Sequence, residues 1–246
     1  MFHELYASGP PWRSAFWLRP IQSCLARRLL KLASHCFTNL CESAATLKKM
    51  VAPRKPCITI LPVFSNIGEP NHLPAWDQRR PSMVIFGSAG WRQEVYSRHF
   101  LSLQRACRQW AISELIDIGP GAVQIPPSSL RISIKGFLPA EEVSRQMMAA
   151  RAGFFTCPVA CLAKSGILAA YAAHGLLPAT HRTNNGQSAD RLREGEHFLS
   201  ADSTKMAPPQ EVSRNAFSWY QGHRLAVQAE EYAMRLFPAK SPISSP

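Results

Sequence analysis

Three short stretches of this chain combine glycine with a hydroxyl or a fixed cation, the residue types that hold a phosphate group. The first is Phe86-Gly87-Ser88-Ala89-Gly90-Trp91-Arg92. Gly87 and Gly90 let a backbone come close to an anion, Ser88 stands between them, and a helix starting here presents free N–H groups. Arg92 adds a planar cation with bidentate reach. The spacing is G-x-x-G rather than the longer dinucleotide fingerprint, so a plain tight turn fits the same residues. The second is Lys135-Gly136-Phe137-Leu138-Pro139-Ala140-Glu141-Glu142. Backbone groups around Gly136 can bond the edge of a nucleobase while Phe137 or Leu138 packs on its face; a simple loop also accounts for them. The third runs from Cys157 to Gly166 and contains Lys164-Ser165-Gly166. Ser165 is a helix N-cap type, and Lys164 just before it puts a charge where a diphosphate would sit. A solvated lysine beside an ordinary cap is the alternative.

Other reactive residues lack such company. His174 ends a small-residue run and reads as a helix-end residue, while His197 and Asp202 are isolated. The chain carries no H-e-x-x-h zinc pattern, no recognisable Ser-His-Asp arrangement and no carboxylate cluster suited to a metal. The seven cysteines form no C-x-x-C pair and sit mostly among apolar residues. They read as reduced thiols in a cytoplasmic protein rather than as a disulfide framework or zinc site.

The formal net charge is +12, which favours anionic partners. The bases fall in separate clusters: Arg27, Arg28 and Lys31; Lys48, Lys49, Arg54 and Lys55; Arg79 and Arg80. No aromatic-interleaved basic stripe accompanies them, so nucleic acid is not an expected partner. Trp12, Phe16 and Trp17 beside Arg13 and Arg19 could touch a membrane interface or pack as an interdomain loop. Neither a secretory leader nor a membrane-spanning run is expected.

The elements that must position the three turns form an alternating series. Ile21, Leu25, Leu29 and Leu32 recur at helical spacing and predict a basic amphipathic helix over 21–33. A strand over 35–39, a helix over 42–50 and a strand over 57–63 follow. Residues 64–82, rich in Pro, Asn and charge, predict a linker. Strands are then expected at 83–86, 114–118, 131–135, 153–156 and 176–180, with an edge strand at Phe198 and Leu199. Helices are expected at 93–109, 140–150 and 165–173. Residues 182–195 predict a loop, 212–221 and 223–236 predict helices, and 238–246 a frayed tail. Strands alternating with helices predict an α/β fold: a Rossmann-like parallel sheet flanked by helices. Ligands of such sheets bind beyond the carboxyl ends of the strands, where all three turns fall.

Taken together, these turns resemble the C-terminal domain of family-4 glycosyltransferases with the GT-B fold. The linker, the Gly-rich turn, Gly136-Phe137-Leu138-Pro139 with its acidic helix, and Ala173-His174-Gly175-Leu176-Leu177-Pro178 come in that family's order. Phe2 to Tyr6 resembles a loop of the acceptor domain, Ser34 to Asn39 the strand before the interdomain crossing, and Leu61 to Asn66 the crossing. The helix around Trp219 to Leu236 resembles the one returning to the first domain.

The resemblance implies the C-terminal half of a GT-B fold plus a partial first domain. It implies a division into 1–66 (acceptor-side remnant and crossing), 67–211 (nucleotide-sugar-binding domain) and 212–246 (returning helices and tail). It implies transfer of a sugar from a nucleotide-diphosphate donor to a saccharide or lipid-linked acceptor, with retention of configuration and without a metal or other cofactor. Gly87, Ser88, Gly90, Arg92, Gly136, Phe137, Leu138, Lys164, Ser165 and Gly166 would hold the donor, and His3 would reach the donor sugar as the catalytic residue. The protein is expected in the cytoplasm, with an anionic membrane surface as a second partner class.

Two departures from the family pattern stand out. Aligning Gly175 with the family's glycine puts Leu162 and Ala170 where its two glutamates would be. A complete enzyme has two Rossmann-like domains, and here the first is represented by about its last third, which reads as a truncation. A nucleotide-sugar-binding remnant without catalysis is therefore the alternative function.

Overall fold

The computed structural model describes residues 5–7, 9–50, 56–181, 190–202 and 207–237. The chain forms two compact units, Met1–Pro62 with Ala226–Pro246, and Val63–Leu225. The sequence placed these boundaries at 66 and 212.

The first unit opens with α1 (Ser14–Leu32), β1 (His35–Thr38), α2 (Cys41–Met50) and β2 (Cys57–Ile60). β1 and β2 run parallel, His35 opposite Cys57 and Thr38 opposite Ile60. Leu30, Cys36 and Leu47 bury their side chains together, with Leu5, Met50 and Ile58 against them. Asn39 ends β1 and donates from its side chain to the Leu61 carbonyl at 2.8 Å. The amphipathic pattern of α1 is real, but its stripe is not the buried side. Ala26 and Leu30 are buried, whereas Ile21, Leu25, Leu29 and Leu32 are exposed.

In the second unit the chain runs through β3 (Arg80–Phe86), α3 (Ala89–Arg98), α4 (Phe100–Gln109), β4 (Glu114–Ile118), β5 (Arg131–Gly136), α5 (Ala140–Ala149), β6 (Ala150–Phe155), α6 (Gly166–Ala173), β7 (Leu177–Thr180), β8 (Leu199–Ser200) and α7 (Pro209–Gln221). Among the described residues these strands form one six-stranded sheet in the order β5-β4-β3-β6-β7-β8. Every pairing is parallel.

Side chains alternate across the pleat, and both faces are covered, as near-continuous apolar strands require. Met83, Ile85, Leu115 and Phe154 pack with Val95, Phe100 and Leu103 of α3 and α4. Val84, Ile116 and Phe155 pack the other way, with Val143 and Met147 of α5 and Leu168 of α6. Alanines 169, 172 and 173 of α6 meet Ala216 and Tyr220 of α7, small residues that let the two helices approach closely.

Two expectations change in detail. The helix expected over 93–109 is two helices, α3 and α4, broken at His99, whose φ of −122° and ψ of 15° leave the helical range. The first of them begins at Ala89, so Arg92 lies in its opening turn rather than before it. Residues 64–82 are also not wholly a linker, because a 3-10 turn at Trp76–Gln78 and the start of β3 fall there.

The last helix, α8 (Leu225–Leu236), belongs to the first unit from Ala226 onward. Tyr232 lies over Phe37 with ring centroids 4.1 Å apart, and Gln228 donates to the Pro62 carbonyl at 2.7 Å. Residues 238–246 and 182–189, where a tail and most of a loop were expected, lie outside the described residues.

Candidate nucleotide site at the sheet switch point

From β3 the chain moves outward through β4 to β5, then returns to lay β6 on the other flank of β3. Parallel α/β sheets open a crevice at that reversal, outside the carboxyl ends of the two strands. The Gly87–Gly90 turn follows β3, and the Cys157–Ser165 segment follows β6. They adjoin: a Cβ built on Gly87, whose φ is +142°, would stand 3.2 Å from Cδ1 of Ile167 in the first turn of α6. Two helices therefore start at the crevice, α3 and α6. Ser88 takes the N-cap position of α3 in extended geometry but makes no side-chain cap bond. Ser165 does cap, its hydroxyl accepting from the Leu168 N–H at 3.2 Å.

Beneath the crevice lies Tyr171, fully buried. Its hydroxyl donates toward the Val84 carbonyl (3.1 Å) or the Phe154 carbonyl (3.2 Å) and accepts from the Phe86 N–H at 3.1 Å. One phenol thus bridges the ends of β3 and β6 where they part. Its ring lies against Gly153, where any Cβ would sit 2.6 Å from ring carbons. Burial pushes the phenol pKa up, so it stays protonated and can donate.

Arg92 has a different part from the one its sequence position suggested. Its side chain is 1% exposed and its donors are consumed inside the protein. Nε donates to the Gly87 carbonyl (3.1 Å), Nη2 to the carbonyls of Pro120 and Gly121 (both 2.6 Å), and Nη1 pairs with Asp117. The Tyr96 hydroxyl donates to the other Asp117 oxygen at 2.8 Å. The Arg92 cation therefore braces the turns after β3 and β4 from below instead of facing solvent toward a phosphate. Asp117 is the charge that makes this affordable, since a buried cation needs a counter-charge and filled hydrogen bonds.

The same bracing extends outward. The Gly87 N–H donates to the Ile118 carbonyl (3.2 Å) and the Gly119 N–H to the Gly136 carbonyl (2.8 Å). Gly119 has φ +152°, and a Cβ there would fall 2.0 Å from the Gly87 oxygen, so only glycine fits. Gly136, Phe137 and Leu138 thus stand at the same carboxyl edge, two strands from β3, with Phe137 exposed and Leu138 partly buried.

Lys164 ends a 3-10 turn (Val159–Lys164) immediately before Ser165 and is partly buried. Its charge is felt locally: burial, with Cys161 adding, pushes the Cys157 thiol up to about 11, while Ser165 and Lys164 pull it back. Gly166 opens α6.

Leu162 and Ala170, at the positions where the family carries glutamates, are fully buried in the apolar layer under α6. Neither offers a polar group to the crevice. His3 lies outside the described residues. Among the described residues, no group of three His, Cys, Asp or Glu side chains could hold a metal ion. Among the described residues no helix is long and apolar enough to cross a membrane. A shallow hollow lined by Leu73, Arg79, Gly175, Ser213 and Phe217 lies at the opposite end of the sheet. There Arg79 caps the end of α6 by donating to the His174 carbonyl at 3.0 Å.

Asp117, Tyr171, Gly119 and Gly153 were not singled out from the sequence. Asp117 left a signal, an acid inside Leu115-Ile116-Asp117-Ile118 on a strand expected to be buried on both faces. Tyr171 and the two glycines left none outside the three-dimensional packing.

No family model matches the sequence, and no curated protein does. Solved structures do. The chain superposes on the GtfA/B complex with a TM-score of 0.58 at 13% identity, over 86% of this chain and 46% of that one. It superposes on sucrose-phosphate synthase from Thermosynechococcus elongatus with a TM-score of 0.55 at 16% identity, over 96% of this chain and 66% of the synthase. It superposes on Anabaena HepE in complex with UDP-glucose with a TM-score of 0.52 at 12% identity, over 88% of this chain and 67% of HepE. The fold is that of the GT-B glycosyltransferases. The chain spans about half the length of the GtfA/B chain and about two thirds of the other two.

Proposed function

We propose that the crevice between β3 and β6 binds the diphosphate of a nucleotide sugar, and that the protein uses this donor to glycosylate a saccharide or lipid-linked acceptor. The observation that carries the reading is the meeting of two helix N-termini, those of α3 and α6, across the Gly87 turn at the switch point of a GT-B fold. Free N–H groups and the positive ends of both helix dipoles favour an anion there. Lys164 supplies a cation, and Ser88, Gly90, Ser165 and Gly166 the close backbone approach. Two structural neighbours agree: HepE is in complex with UDP-glucose, and an alpha-glucosyltransferase with a TM-score of 0.50 is in complex with UDP.

In this reading the departing diphosphate gathers negative charge as the glycosidic bond breaks, and Lys164 with the helix-start N–H groups stabilises it. The transfer then retains anomeric configuration and draws its charge neutralisation from the chain, without a metal. The exposed Phe137, with the backbone of Gly136 and Leu138, meets the nucleobase. Arg92 serves the site by shaping its floor.

The test is a thermal-shift titration with UDP, GDP, ADP and their sugar conjugates. A ligand at a hundredfold excess over its Kd stabilises by about 2.7 kcal/mol, roughly 5–10 °C for a protein of this size. A shift with one nucleotide, followed by release of that nucleotide from its sugar conjugate, supports the transferase. A shift without turnover identifies a binding remnant, and no shift with any nucleotide removes the donor assignment.

A further inference from the structure

At the amino ends of the strands, away from the nucleotide crevice, the second unit forms a hollow of about 210 Å³. Leu73, Trp76, Phe217 and the opening turns of α7 make its walls, and all of them belong to Val63–Leu225. The shape is built in. Leu73 seats on Gly175, where a Cβ would fall 2.6 Å from its Cδ1. The Ser213 hydroxyl donates to the Gly175 carbonyl at 2.6 Å and holds α7 against the start of β7.

Arg79 reaches this hollow from inside the protein and is 4% exposed. Nε donates to the Pro74 carbonyl (3.3 Å), Nη1 to the Ala150 carbonyl (3.1 Å) and Nη2 to the His174 carbonyl (3.0 Å). All three acceptors are neutral. A guanidinium has five N–H donors, so two of them have no acceptor among the described residues. Burial lowers the Arg79 pKa to about 10, and no acid opposes the shift. The carboxyl end of α6 brings roughly half a negative charge at most, which leaves the guanidinium a net cation. Arg92 has Asp117 to meet the same need. A buried cation without a counter-charge is strongly disfavoured, and an anion in the hollow supplies what is missing.

The rest of the lining says what kind of anion. Arg214 adds a second, exposed guanidinium. The Arg151 guanidinium lies 6.0 Å from the Trp76 ring centroid, and its Nε is buried without a partner. No Asp or Glu lines the hollow among the described residues. Trp76 and Phe217 set aromatic rings beside these charges. The volume is below the roughly 300 Å³ at which sites for drug-sized molecules begin, so the occupant is small. A compact inorganic anion would meet the charge and leave the aromatic walls bare, whereas a planar organic acid meets both.

We propose that this hollow is a second ligand site, taking a small aromatic carboxylate whose charged end meets Arg79 and Arg214 and whose ring lies against Trp76 and Phe217.

The experiment is a saturation-transfer NMR titration of the full chain at constant ionic strength, with benzoate, its uncharged counterpart benzamide, and methylphosphonate as a compact anion. Benzoate should bind saturably, and the other two at least about tenfold more weakly, since each lacks one half of the match. Arg79→Gln should abolish benzoate binding but also removes buried hydrogen bonds, so Arg214→Gln carries the test. Arg214 is exposed, and its loss should weaken benzoate by about tenfold or more with the melting temperature unchanged. Lys164→Ala, at the other end of the sheet, should bind benzoate as the parent does. Absence of benzoate binding overturns the proposal, as does benzamide or methylphosphonate binding as tightly as benzoate. Undiminished binding by Arg214→Gln overturns it too, and loss of binding in Lys164→Ala assigns the anion to the nucleotide crevice instead.

Discussion

Arg92 and Asp117 form a buried ion pair that ties the first turn of α3 to the end of β4, with neither side chain more than 1% exposed. The arginine's remaining donors hold the carbonyls of Gly87, Pro120 and Gly121. The pair therefore fixes the backbone of two turns whose position the nucleotide reading depends on.

Removing one partner of such a pair leaves an uncompensated buried charge and several carbonyls without donors. Arg92→Ala and Asp117→Ala should each lower the unfolding free energy by about 3–5 kcal/mol, read as the midpoint and slope of a urea transition. Asp117→Asn, which keeps an acceptor without the charge, should cost less. An Arg92→Ala protein of unchanged stability that has only lost nucleotide affinity would return Arg92 to the role of a direct phosphate ligand.

The contact between Tyr171 and Gly153 gives a second pair of expectations. Tyr171→Phe keeps the ring on Gly153 but strips the Phe86 N–H and two strand carbonyls of their shared partner. A loss of about 1–3 kcal/mol is expected. Gly153→Ala drives a methyl to 2.6 Å from the ring, and overpacking of this kind costs about 1–3 kcal/mol. The double variant Gly153→Ala/Tyr171→Leu should recover part of the second loss, because the ring that clashes is gone. A double variant less stable than Gly153→Ala alone argues against the ring clash.

Much of this arrangement was legible before any coordinates. The alternation of β-branched runs with helical spacing gave the parallel sheet, because both signals are local and repeat along the chain. The Gly87 turn, Gly136-Phe137-Leu138 and Lys164-Ser165-Gly166 were recognisable for the same reason: short runs of residues with special backbone freedom or capping chemistry. Arg92 was recognised as a useful cation but given the wrong partner. Which way an arginine points depends on an acid 25 residues later and on the pleat that turns Asp117 inward. The exposed stripe of α1 shows the same limit, since periodicity marks an apolar face but not what covers it. Tyr171 was invisible because its function comes from a glycine 18 residues earlier that leaves room for its ring.

Lys164 and Ser165 separate binding from stability. Lys164 is partly buried at the end of a 3-10 turn. Lys164→Ala should weaken the preferred nucleotide by about tenfold or more, a charge-assisted contact of about 1.5–3 kcal/mol, while the ligand-free melting temperature changes little. Ser165→Ala should instead destabilise by about 1 kcal/mol through loss of the cap on α6. Isothermal titration beside thermal melts reads both. A Lys164→Ala protein that binds nucleotide as tightly as the parent would remove this lysine from the diphosphate site.

Acid should destabilise the second unit through His223. The ring is 4% exposed, packed between Trp219 and Tyr220 with centroids at 4.3 and 5.1 Å. Burial lowers its pKa from 6.5 to about 4, only partly opposed by a hydrogen bond to the Trp219 backbone. The folded protein thus holds this imidazole neutral where the unfolded chain would protonate it. Stability from the neutral ring is fully present above pH 6.5 and declines as the unfolded state takes up its proton below that value. It levels off below about pH 4, once the folded state is protonated too. The shift corresponds to about 3 kcal/mol. His174, also lowered by burial, acts in the same direction. The stability difference between the parent and His223→Gln, from urea transitions at about pH 7.5 and pH 4.5, should therefore shrink or reverse in favour of the variant at the lower pH. A difference that is constant across the two pH values would mean that His223 titrates alike in the folded and unfolded chains, and that its burial contributes nothing to the acid limb.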